Sequence, residues 1–297
     1  MKCDLCPRKC LVDRKKGEKG ICGQTENLKV ARAALHFWEE PCISGDAGSG
    51  AVFFSGCPLH CVFCQNENIA NGTVGKEISL ERLVDIFLEL QEKGANNINL
   101  VTPGHFVPQI VKALDQAKKE GLTLPVVYNT SSYETVDTIK RLEGYVDIYL
   151  PDFKYMSPVL SKKYSYAPDY AEVAKAAIAE MVRQTGKAVF VNGDEDNLIL
   201  SGTIVRHLTL PGCMADSMQI LKYLHDTYGD MIYISIMNQF TPLSNLEKYP
   251  ELNRRITDEE YETLVDYAIE IGIENGFIQE GDTAEESFIP AFDCEGV

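Results

Sequence analysis

The chain has 297 residues, 45% of them hydrophobic, and a formal net charge of −16 at pH 7. This length fits one large domain or two small ones, and the apolar content is ordinary for a protein with a substantial core. The excess of acidic residues argues against general nucleic-acid binding, because Lys and Arg are needed to neutralise phosphate groups.

The sequence shows neither a membrane span nor a signal peptide. A span needs about 20 consecutive apolar residues, and the opening MKCDLCPRKC is charged and cysteine-rich rather than apolar. We therefore expect a cytoplasmic protein that does not bind membranes. Cytosolic thiols are kept reduced, so clustered cysteines in such a protein indicate metal binding or catalysis rather than disulfides.

The first cysteine group is Cys3, Cys6, Cys10 and Cys22, with spacings x2, x3 and x11. Four thiolates can close a four-coordinate site, which suits structural zinc or an iron–sulfur cluster. We predict that residues 1–48 form a Cys-rich metal-binding extension, and tetrahedral thiolate ligation leaves the choice between the two metals open. The alternative is a disordered arm that carries cysteines.

The segment LHFWEEPCISG, residues 35–45, leads into the first strand of the predicted barrel and could overhang its mouth. One interpretation is substrate contact, and the other is a packing segment anchored by the single tryptophan. The residues to examine for substrate contact are His36, Trp38, Glu39, Glu40 and Cys42.

Beyond residue 48, short apolar runs alternate with amphipathic segments. The predicted strands are residues 51–55, 97–101, 125–129, 146–150, 203–210 and 231–237. The predicted helices are residues 79–94, 106–121, 169–186, 215–229 and 257–272, with Ser79 as an N-cap. This alternation indicates βαβ units and a parallel sheet. We predict an α/β fold, a partial (β/α)6 TIM-like barrel over residues 49–280, followed by an acidic C-terminal tail, residues 281–297.

One segment departs from the alternation. Residues 188–202, AVFVNGDEDNLILSG, place two apolar runs around an Asn-Gly pair. This pattern predicts a β-hairpin before the fifth strand.

Polar residues follow five of the predicted strands, and the fifth strand contains two of its own, Arg206 and His207. They are CPLHC (57–61), TPGH (102–105), NTSSY (129–133), PDFKY (151–155), Arg206 with His207, and NQFTP (238–242). The C-terminal ends of parallel barrel strands form one face, where active sites lie. We therefore expect these side chains to share one rim.

The second cysteine group lies at this rim, with the spacing Cys57-x3-Cys61-x2-Cys64. Three thiolates can hold three corners of a [4Fe–4S] cube, and the fourth iron can then accept a small molecule. The alternative is a zinc site completed by His60 or by a distant residue. His60 is more plausible as a bystander, because adjacent ligands in so tight a loop strain the geometry.

A three-cysteine loop of this spacing, at the end of a first barrel strand, resembles the radical S-adenosylmethionine superfamily. The resemblance implies a [4Fe–4S] cluster on Cys57, Cys61 and Cys64 that binds S-adenosylmethionine at its open iron. It also implies reductive cleavage of that cofactor to a 5′-deoxyadenosyl radical, which abstracts hydrogen from a substrate. A reducing partner such as flavodoxin or ferredoxin would supply the electron.

Further motifs resemble the pyruvate formate-lyase activating enzymes. The resemblance implies that Phe63 lies against the adenine and that Asp152 and Lys154 contact ribose or carboxylate. The other cofactor-binding residues it implies are Asn66, Thr102, Asn129, Ser131, Arg206 and Asn238. The full chain, with CDLCPRKC, GICG and FCQN, looks like the PflX-type branch of these proteins.

Two features depart from that family. The second strand ends in TPGH where the family has a GGE-like turn for the cofactor's amino group, so binding there rests on Thr102 and Gly104. No cysteine occurs between Cys64 and Cys213, where activating enzymes with extra clusters carry more. We expect Cys213 and Cys294 to be incidental.

These patterns leave more than one function open. The first hypothesis is a radical enzyme that activates a protein partner of the glycyl-radical type. Its alternative within the same class modifies a peptide or a small molecule. The hypothesis from a different class is a non-catalytic metal-binding scaffold. A second cluster on the four N-terminal cysteines would relay electrons to the first.

Overall fold

A computed structural model describes residues 2–194, 197–242, 246–279 and 290–297 of the chain. In these ranges the β-strands are β1 (Leu28–His36), β2 (Ser49–Phe54), β3 (Lys76–Ile78), β4 (Ile98–Val101), β5 (Val126–Thr130), β6 (Ile148–Pro151), β7 (Val189–Phe190), β8 (Ile199–Leu208), β9 (Tyr233–Met237) and β10 (Gly276–Ile278). The α-helices of the same ranges are α1 (Pro41–Ser44), α2 (Glu67–Ala70), α3 (Leu80–Glu92), α4 (Val107–Lys119), α5 (Val136–Lys140), α6 (Pro158–Ser165), α7 (Tyr170–Thr185), α8 (Met214–Tyr228) and α9 (Asp258–Glu270).

The sheet is mostly parallel and open. Its strand order is β10-β9-β8-β6-β5-β4-β2-β1-β3, and neighbours from β10 to β2 are parallel. In the part of the chain that is described, β10 and β3 stand at opposite ends of this order, so the barrel is partial. The predicted α/β fold with a partial TIM-like barrel is confirmed, and β10 extends the six predicted strands by one short parallel strand.

The central strands are buried on both faces. Every residue of β4, β5 and β6 is buried. Parallel strands covered on both sides have continuous apolar runs rather than alternating ones, which is why NINLV and VVYN were recognisable in the sequence. Their carboxyl ends therefore emerge together from a rigid core.

Helix α3 shows how the helices cover this sheet. Ser79 Oγ accepts the amide hydrogen of Arg82 at 3.1 Å, so the predicted N-cap is confirmed. Leu83, Phe87 and Leu90 recur at helical spacing and are buried against the core. Complete burial of each such side chain contributes about 1.5–3 kcal/mol.

The predicted hairpin is confirmed in the described residues on either side of residues 195–196. Strand β7 pairs antiparallel with β8, with Val189 opposite Ser201 and Phe190 opposite Ile199. Asn192 takes a φ of 58°, the left-handed conformation that Asn tolerates better than most residues.

The edge of the sheet contains elements that the sequence did not predict. Strand β1 pairs antiparallel with β2, and the chain end covers β1 in turn. The Cys294 amide donates to the Ala31 carbonyl at 3.0 Å, and Arg32 forms an ion pair with Asp293 at 3.1 Å. Residues 281–289 of the predicted acidic tail lie outside the described ranges, whereas residues 290–297 pack on β1. This packing covers a sheet edge that would otherwise present unpaired backbone groups.

None of the described helices is both long and apolar enough to traverse a lipid bilayer.

Candidate active site

The three cysteines of the CPLHCVFC segment lie on the loop that follows β2. Cys61 Sγ accepts a hydrogen bond from Ser165 Oγ at 2.9 Å. The Val62 amide donates to the Tyr164 carbonyl, also at 2.9 Å. Both partners belong to α6, so the helix that follows β6 fixes the conformation of the cysteine loop.

The backbone is strained where three neighbouring parallel strands end. His60 after β2, Thr102 after β4 and Ser132 after β5 have φ values of 53°, 55° and 62°. Side chains other than hydrogen disfavour this region, and a β-branched residue such as Thr disfavours it most. Strain of this kind persists only where the surroundings impose it, and it concentrates at functional sites.

A cavity of about 660 Å³ opens at these strand ends. Small-molecule sites commonly occupy about 300–1,000 Å³. The cavity is lined by Cys57, Cys61 and Cys64, and by Phe63, Asn66, Thr102, Asn129, Ser131, Asp152, Lys154 and Arg206. The sequence therefore predicted a set of residues that the fold brings together around one space.

Asn238 is the predicted cofactor residue that is absent from this lining. Its neighbours Met237 and Gln239 line the cavity instead. The Asn238 amide donates to Gln279 Oε1 at 2.9 Å, which ties this segment to the residue after β10.

Arg206 is the centre of a charged network inside the cavity. Its Nε donates to Asp152 Oδ1 at 2.9 Å, its Nη1 to Glu39 Oε2 at 2.9 Å, and its Nη2 to Asn129 Oδ1 at 2.7 Å. Lys154 Nζ donates to Asp152 Oδ2 at 2.7 Å. The chain thus brings together β8, the ends of β5 and β6, and the segment before β2 through charge-assisted hydrogen bonds.

These charges are retained in spite of burial. Burial favours the neutral form of Asp152, but Lys154 and Arg206 outweigh it and hold the pKa of Asp152 below its ordinary value. Burial likewise opposes the charged form of Lys154, and Asp152 together with Cys61 outweighs it, so the pKa of Lys154 is raised. Opposite charges at close range favour ionised groups. The cavity therefore presents fixed charges beside the cysteine loop.

Burial favours the protonated form of two thiols of the loop, Cys57 and Cys64. Burial raises the pKa of Cys57 to about 11, and the Cys61 sulfur adds to the rise. Burial also raises the pKa of Cys64 well above that of a free thiol. Thiols in such surroundings lose their protons when a bound metal stabilises the thiolate.

The donor set fits a cluster held at three corners. Among the described residues that line the cavity, the cysteines are Cys57, Cys61 and Cys64, with no fourth. Within the described ranges no three or more Cys, His, Asp or Glu side chains converge on a common point as ligands of one ion do. An iron–sulfur cluster contains several irons, so its thiolates need not meet at a single atom.

The segment before β2 contributes to the cavity wall. His36, Trp38, Glu39 and Glu40 line it, as the sequence suggested for substrate contact. Cys42 does not line it, because its side chain packs in an apolar cluster beside Ile43. Trp38 is 61% exposed at the cavity, so the alternative interpretation of Trp38 as the anchor of a packing segment is wrong.

Glu40 is the most deeply placed acid of that segment. Burial raises its pKa, against the opposing effect of Arg206, and its Oε2 has no hydrogen-bond partner among the residues that the structure describes. An unpaired buried carboxylate oxygen carries a desolvation cost unless a ligand or proton meets it.

The four N-terminal cysteines share one neighbourhood. Burial raises the pKa of Cys6 to about 12, and the sulfurs of Cys22, Cys10 and Cys3 add to the rise. Cys10 Sγ accepts the Ile21 amide at 3.2 Å. The N-terminal cysteine segment, for which the alternative prediction was a disordered arm, is therefore folded against the barrel.

Gly20 lies beside two of these sulfurs. A Cβ there would stand 3.3 Å from Cys10 Sγ, a tight contact, and 3.8 Å from Cys22 Sγ, an ordinary one. Cys213 and Cys294, expected to be incidental, are half-buried and lie outside the cavity lining.

Sequence reasoning missed three residues around the site. Arg8 contacts the cysteine loop, Asn99 donates to Glu39 Oε1 at 3.1 Å, and Glu134 is buried beside Thr130, whose hydroxyl it accepts. Burial raises the pKa of Glu134 to about 7, and Asp152 adds to the effect. The sequence carried no local signal for these residues, because each acts through a partner distant along the chain or faces the core.

Comparisons with known proteins agree with this geometry. Residues 51–197 match the family model described as the Radical SAM superfamily. The matched residues begin within β2 and include the cysteine loop.

One relative is an uncharacterized protein of Methanocaldococcus jannaschii. It is 27% identical over 276 residues, which cover 90% of this chain and 74% of that protein.

Three solved structures share the fold at low identity. Streptococcus suis SuiB bound to S-adenosylmethionine has a TM-score of 0.52 and 12% identity, covering 76% of this chain and 49% of SuiB. HydG, a maturase of the [FeFe]-hydrogenase, has a TM-score of 0.51 and 15% identity, and the match covers 78% of this chain and 52% of HydG. Methylornithine synthase PylB has a TM-score of 0.51 and 14% identity, and the match covers 80% of this chain and 66% of PylB.

The chain spans about half the length of SuiB and HydG, so these likenesses concern the fold. The family match adds the cysteine loop after the first parallel strand, which the structure places at the mouth of the cavity. Residues 51–197, which hold the three-thiol loop, are thus similar to the Radical SAM superfamily, and the partial barrel agrees with that similarity.

Proposed function

We propose that this protein is an enzyme that holds a [4Fe–4S] cluster on Cys57, Cys61 and Cys64 and S-adenosylmethionine in the adjoining cavity. The observation that carries the proposal is that the three thiols and the Asp152–Lys154 pair face the same cavity of about 660 Å³. The bound cluster and cofactor would supply an electron and a 5′-deoxyadenosyl radical for hydrogen abstraction.

The chain's own residues would bind and orient the cofactor. Lys154 and Arg206 present cationic groups suited to a carboxylate, and Asp152 and Asn129 present oxygens suited to hydroxyl groups. Phe63 lies 6.0 Å from Phe240, ring centroid to ring centroid, which fixes one apolar wall where an adenine would lie. The hydrogen bonds among the charged residues preorganise the cavity before the cofactor arrives.

The substrate in this proposal is a protein or peptide. Phe37 and Trp38 are 50% and 61% exposed at the cavity mouth, and exposed aromatic side chains of this kind are typical of contacts with macromolecules. Activation of a glycyl-radical-type partner is the specific form of this activity that the sequence resemblance favours. If the protein turned over a small molecule and no protein or peptide, that activity would take the place of partner activation in this proposal.

The reaction would take place in the cytoplasm, where thiols stay reduced and one-electron carriers such as flavodoxin or ferredoxin are the fitting donors. The proposal includes a second metal centre on Cys3, Cys6, Cys10 and Cys22, either zinc or an iron–sulfur cluster. Both accept four cysteine ligands.

Anaerobic reconstitution with iron and sulfide tests the proposed function. After reduction and addition of S-adenosylmethionine, we expect 5′-deoxyadenosine in the quenched reaction. Electron paramagnetic resonance of the reduced cluster should change when the cofactor is added, because the cofactor binds at the open iron.

Single Cys57→Ala, Cys61→Ala and Cys64→Ala variants should form no 5′-deoxyadenosine. Cys294→Ala is the matched control, since it removes a half-buried thiol away from the cavity. Cleavage that persists in all three loop variants would show that the proposed cluster site is wrong.

A further inference from the structure

The two cysteine groups of this chain are joined by a histidine. His60 lies on the loop between Cys57 and Cys61, and its Nε2 donates to the Ile21 carbonyl at 2.7 Å. The amide of the same Ile21 donates to Cys10 Sγ at 3.2 Å. Two hydrogen bonds and one residue therefore connect a sulfur of the N-terminal group with the loop that carries the other group.

Arg8 makes a second connection. It lies between Cys6 and Cys10, and its Nε donates to the Pro58 carbonyl at 2.9 Å. Its Nη2 donates to the Ser165 carbonyl at 3.0 Å, and the Ser165 hydroxyl donates to Cys61 Sγ at 2.9 Å. The arginine thus touches both the cysteine loop and the helix that holds it.

The backbones of the two segments also meet directly. Gly56, immediately before Cys57, has a φ of +93°, and a Cβ built there would stand 2.5 Å from the Cys22 carbonyl oxygen. A side chain at this position would collide with backbone, so glycine is required for the contact. His60 contacts Ile21, next to Cys22; Arg8 contacts Pro58, next to Cys57; and Gly56 approaches Cys22 itself.

We propose that the four N-terminal cysteines hold an iron–sulfur cluster that relays single electrons to the Cys57–Cys64 site through the His60–Ile21 connection. A zinc site that serves only local folding has no need for contacts concentrated on the other cysteine loop. In each relay event an external one-electron protein donor reduces the N-terminal centre by one electron. That centre is reoxidised as the electron moves on, with no proton or bond transferred. The proposal rests on the proposed function for the fate of the electron.

The donor that fits this surface is an acidic protein. Lys2, Lys9, Lys15, Lys16 and Lys19 are exposed on the N-terminal segment, although the whole chain carries a net charge of −16. Complementary charge speeds and orients the docking of a transient partner. Flavodoxin-type and ferredoxin-type donors are the chemical class that supplies one electron without a group transfer.

The first test is the metal content of a variant with Cys57, Cys61 and Cys64 all replaced by Ala. After anaerobic reconstitution we expect about four irons per chain and the matching sulfide, as four-cysteine ligation of a [4Fe–4S] cluster requires. One zinc, or no metal, overturns the proposal.

The second test separates a relay from a merely structural cluster. Reduction of the Cys57–Cys64 cluster is followed by freeze-quench electron paramagnetic resonance, with either reduced flavodoxin or dithionite as the electron source. The measured quantity is the ratio of the flavodoxin rate to the dithionite rate in the same preparation. We expect this ratio to fall severalfold in Cys10→Ser and in His60→Ala, and to recover in His60→Gln, whose amide can donate to Ile21.

His225→Ala is the control, because His225 lies in the last turn of α8, a helix that carries none of these cysteines. An unchanged ratio in both Cys10→Ser and His60→Ala overturns the relay even if four irons are present. Failure of the proposed function has a separate signature, which is absence of 5′-deoxyadenosine under dithionite while both clusters are reduced.

Discussion

Arg206 on β8 and Glu39 on the segment before β2 form an ion pair of 2.9 Å inside the barrel, although 167 residues separate them in sequence. Their side chains are 14% and 8% exposed. Glu39 also accepts hydrogen bonds from Asn99 and Asn129, at 3.1 and 3.0 Å. The glutamate therefore holds the arginine and an asparagine in fixed positions at the cavity.

This relationship predicts that Glu39→Gln weakens binding of S-adenosylmethionine without changing the iron content. The glutamine lacks the negative charge that orients Arg206. Its amide NH2 group would also face the N–H donors of the Arg206 guanidinium. We expect the Kd to rise about tenfold, equivalent to about 1.4 kcal/mol. Calorimetric titration of the reconstituted protein measures it, with the exposed Glu92→Gln as control. An unchanged Kd would contradict the positioning role.

Lys154→Ala should also weaken cofactor binding, through loss of a direct contact. A hydrogen bond to a charged group contributes about 1.5–3 kcal/mol, so the Kd should rise by at least tenfold. The iron content of the reconstituted protein should stay the same, because Lys154 binds Asp152 rather than a thiol. Lys175→Ala, which removes a lysine paired with Glu172 on α7, is the control. Equal affinity in the two variants would show that Lys154 does not contact the cofactor.

Ser165→Ala should lower the reduction potential of the cluster on the three-cysteine loop. The Ser165 hydroxyl donates to Cys61 Sγ at 2.9 Å, and such a bond favours the more negative, reduced cluster. A redox titration followed by electron paramagnetic resonance gives the potential. Ser161→Ala on the same helix is the control, since its hydroxyl donates to the Pro158 carbonyl. A potential that is equal in both variants would rule out this hydrogen bond as a tuning contact.

Glu134 should make the protein less stable as pH rises from about 4.5 to about 7. Burial raises its pKa from 4.5 to about 7, so between these values the folded state binds more protons than the unfolded state. Stability then falls with increasing pH, by about 3 kcal/mol over the whole interval. Glu134→Gln removes this titration.

The unfolding free energies of wild type and Glu134→Gln, measured by anaerobic urea denaturation, test this effect. The variant should gain stability relative to wild type from pH 5 to pH 8, and most of the gain should occur below pH 7. Parallel pH profiles for the two proteins would show that the buried carboxyl does not titrate in this range.

The main helices followed from apolar periodicity, because each buries one stripe, and the central strands followed from short continuous apolar runs, because they are buried on both faces. Strand β1 did not, since a register shift between Val30 and Arg32 disrupts the alternation that marks a strand. Met237, Gln239 and Phe240 line the cavity and Asn238 does not, a pattern of the loop after β9 that strand alternation does not give. The local sequence pattern predicted which segments form the polar rim, but not which residue of each segment faces the cavity.

Long-range pairing was the part of the site that the sequence did not reveal. Glu39 was a candidate for substrate contact, and nothing nearby in the sequence marks it as the partner of Arg206. Arg8 lies between two cysteines, yet its acceptors are Pro58 and Ser165. Such contacts depend on which distant segments the partial barrel brings together, which a single sequence does not specify residue by residue.

The contacts of Arg8 impose an order on biosynthesis. Its acceptor Ser165 lies 157 residues further along the chain, so the N-terminal cysteines reach their folded position only after that stretch has been made. Contacts this distant in sequence form late. During translation these thiols therefore leave the ribosome well before α6 exists, and they remain open to oxygen and stray metal ions until that helix has folded. Loading of metal at the N-terminus should accordingly follow barrel formation rather than precede it.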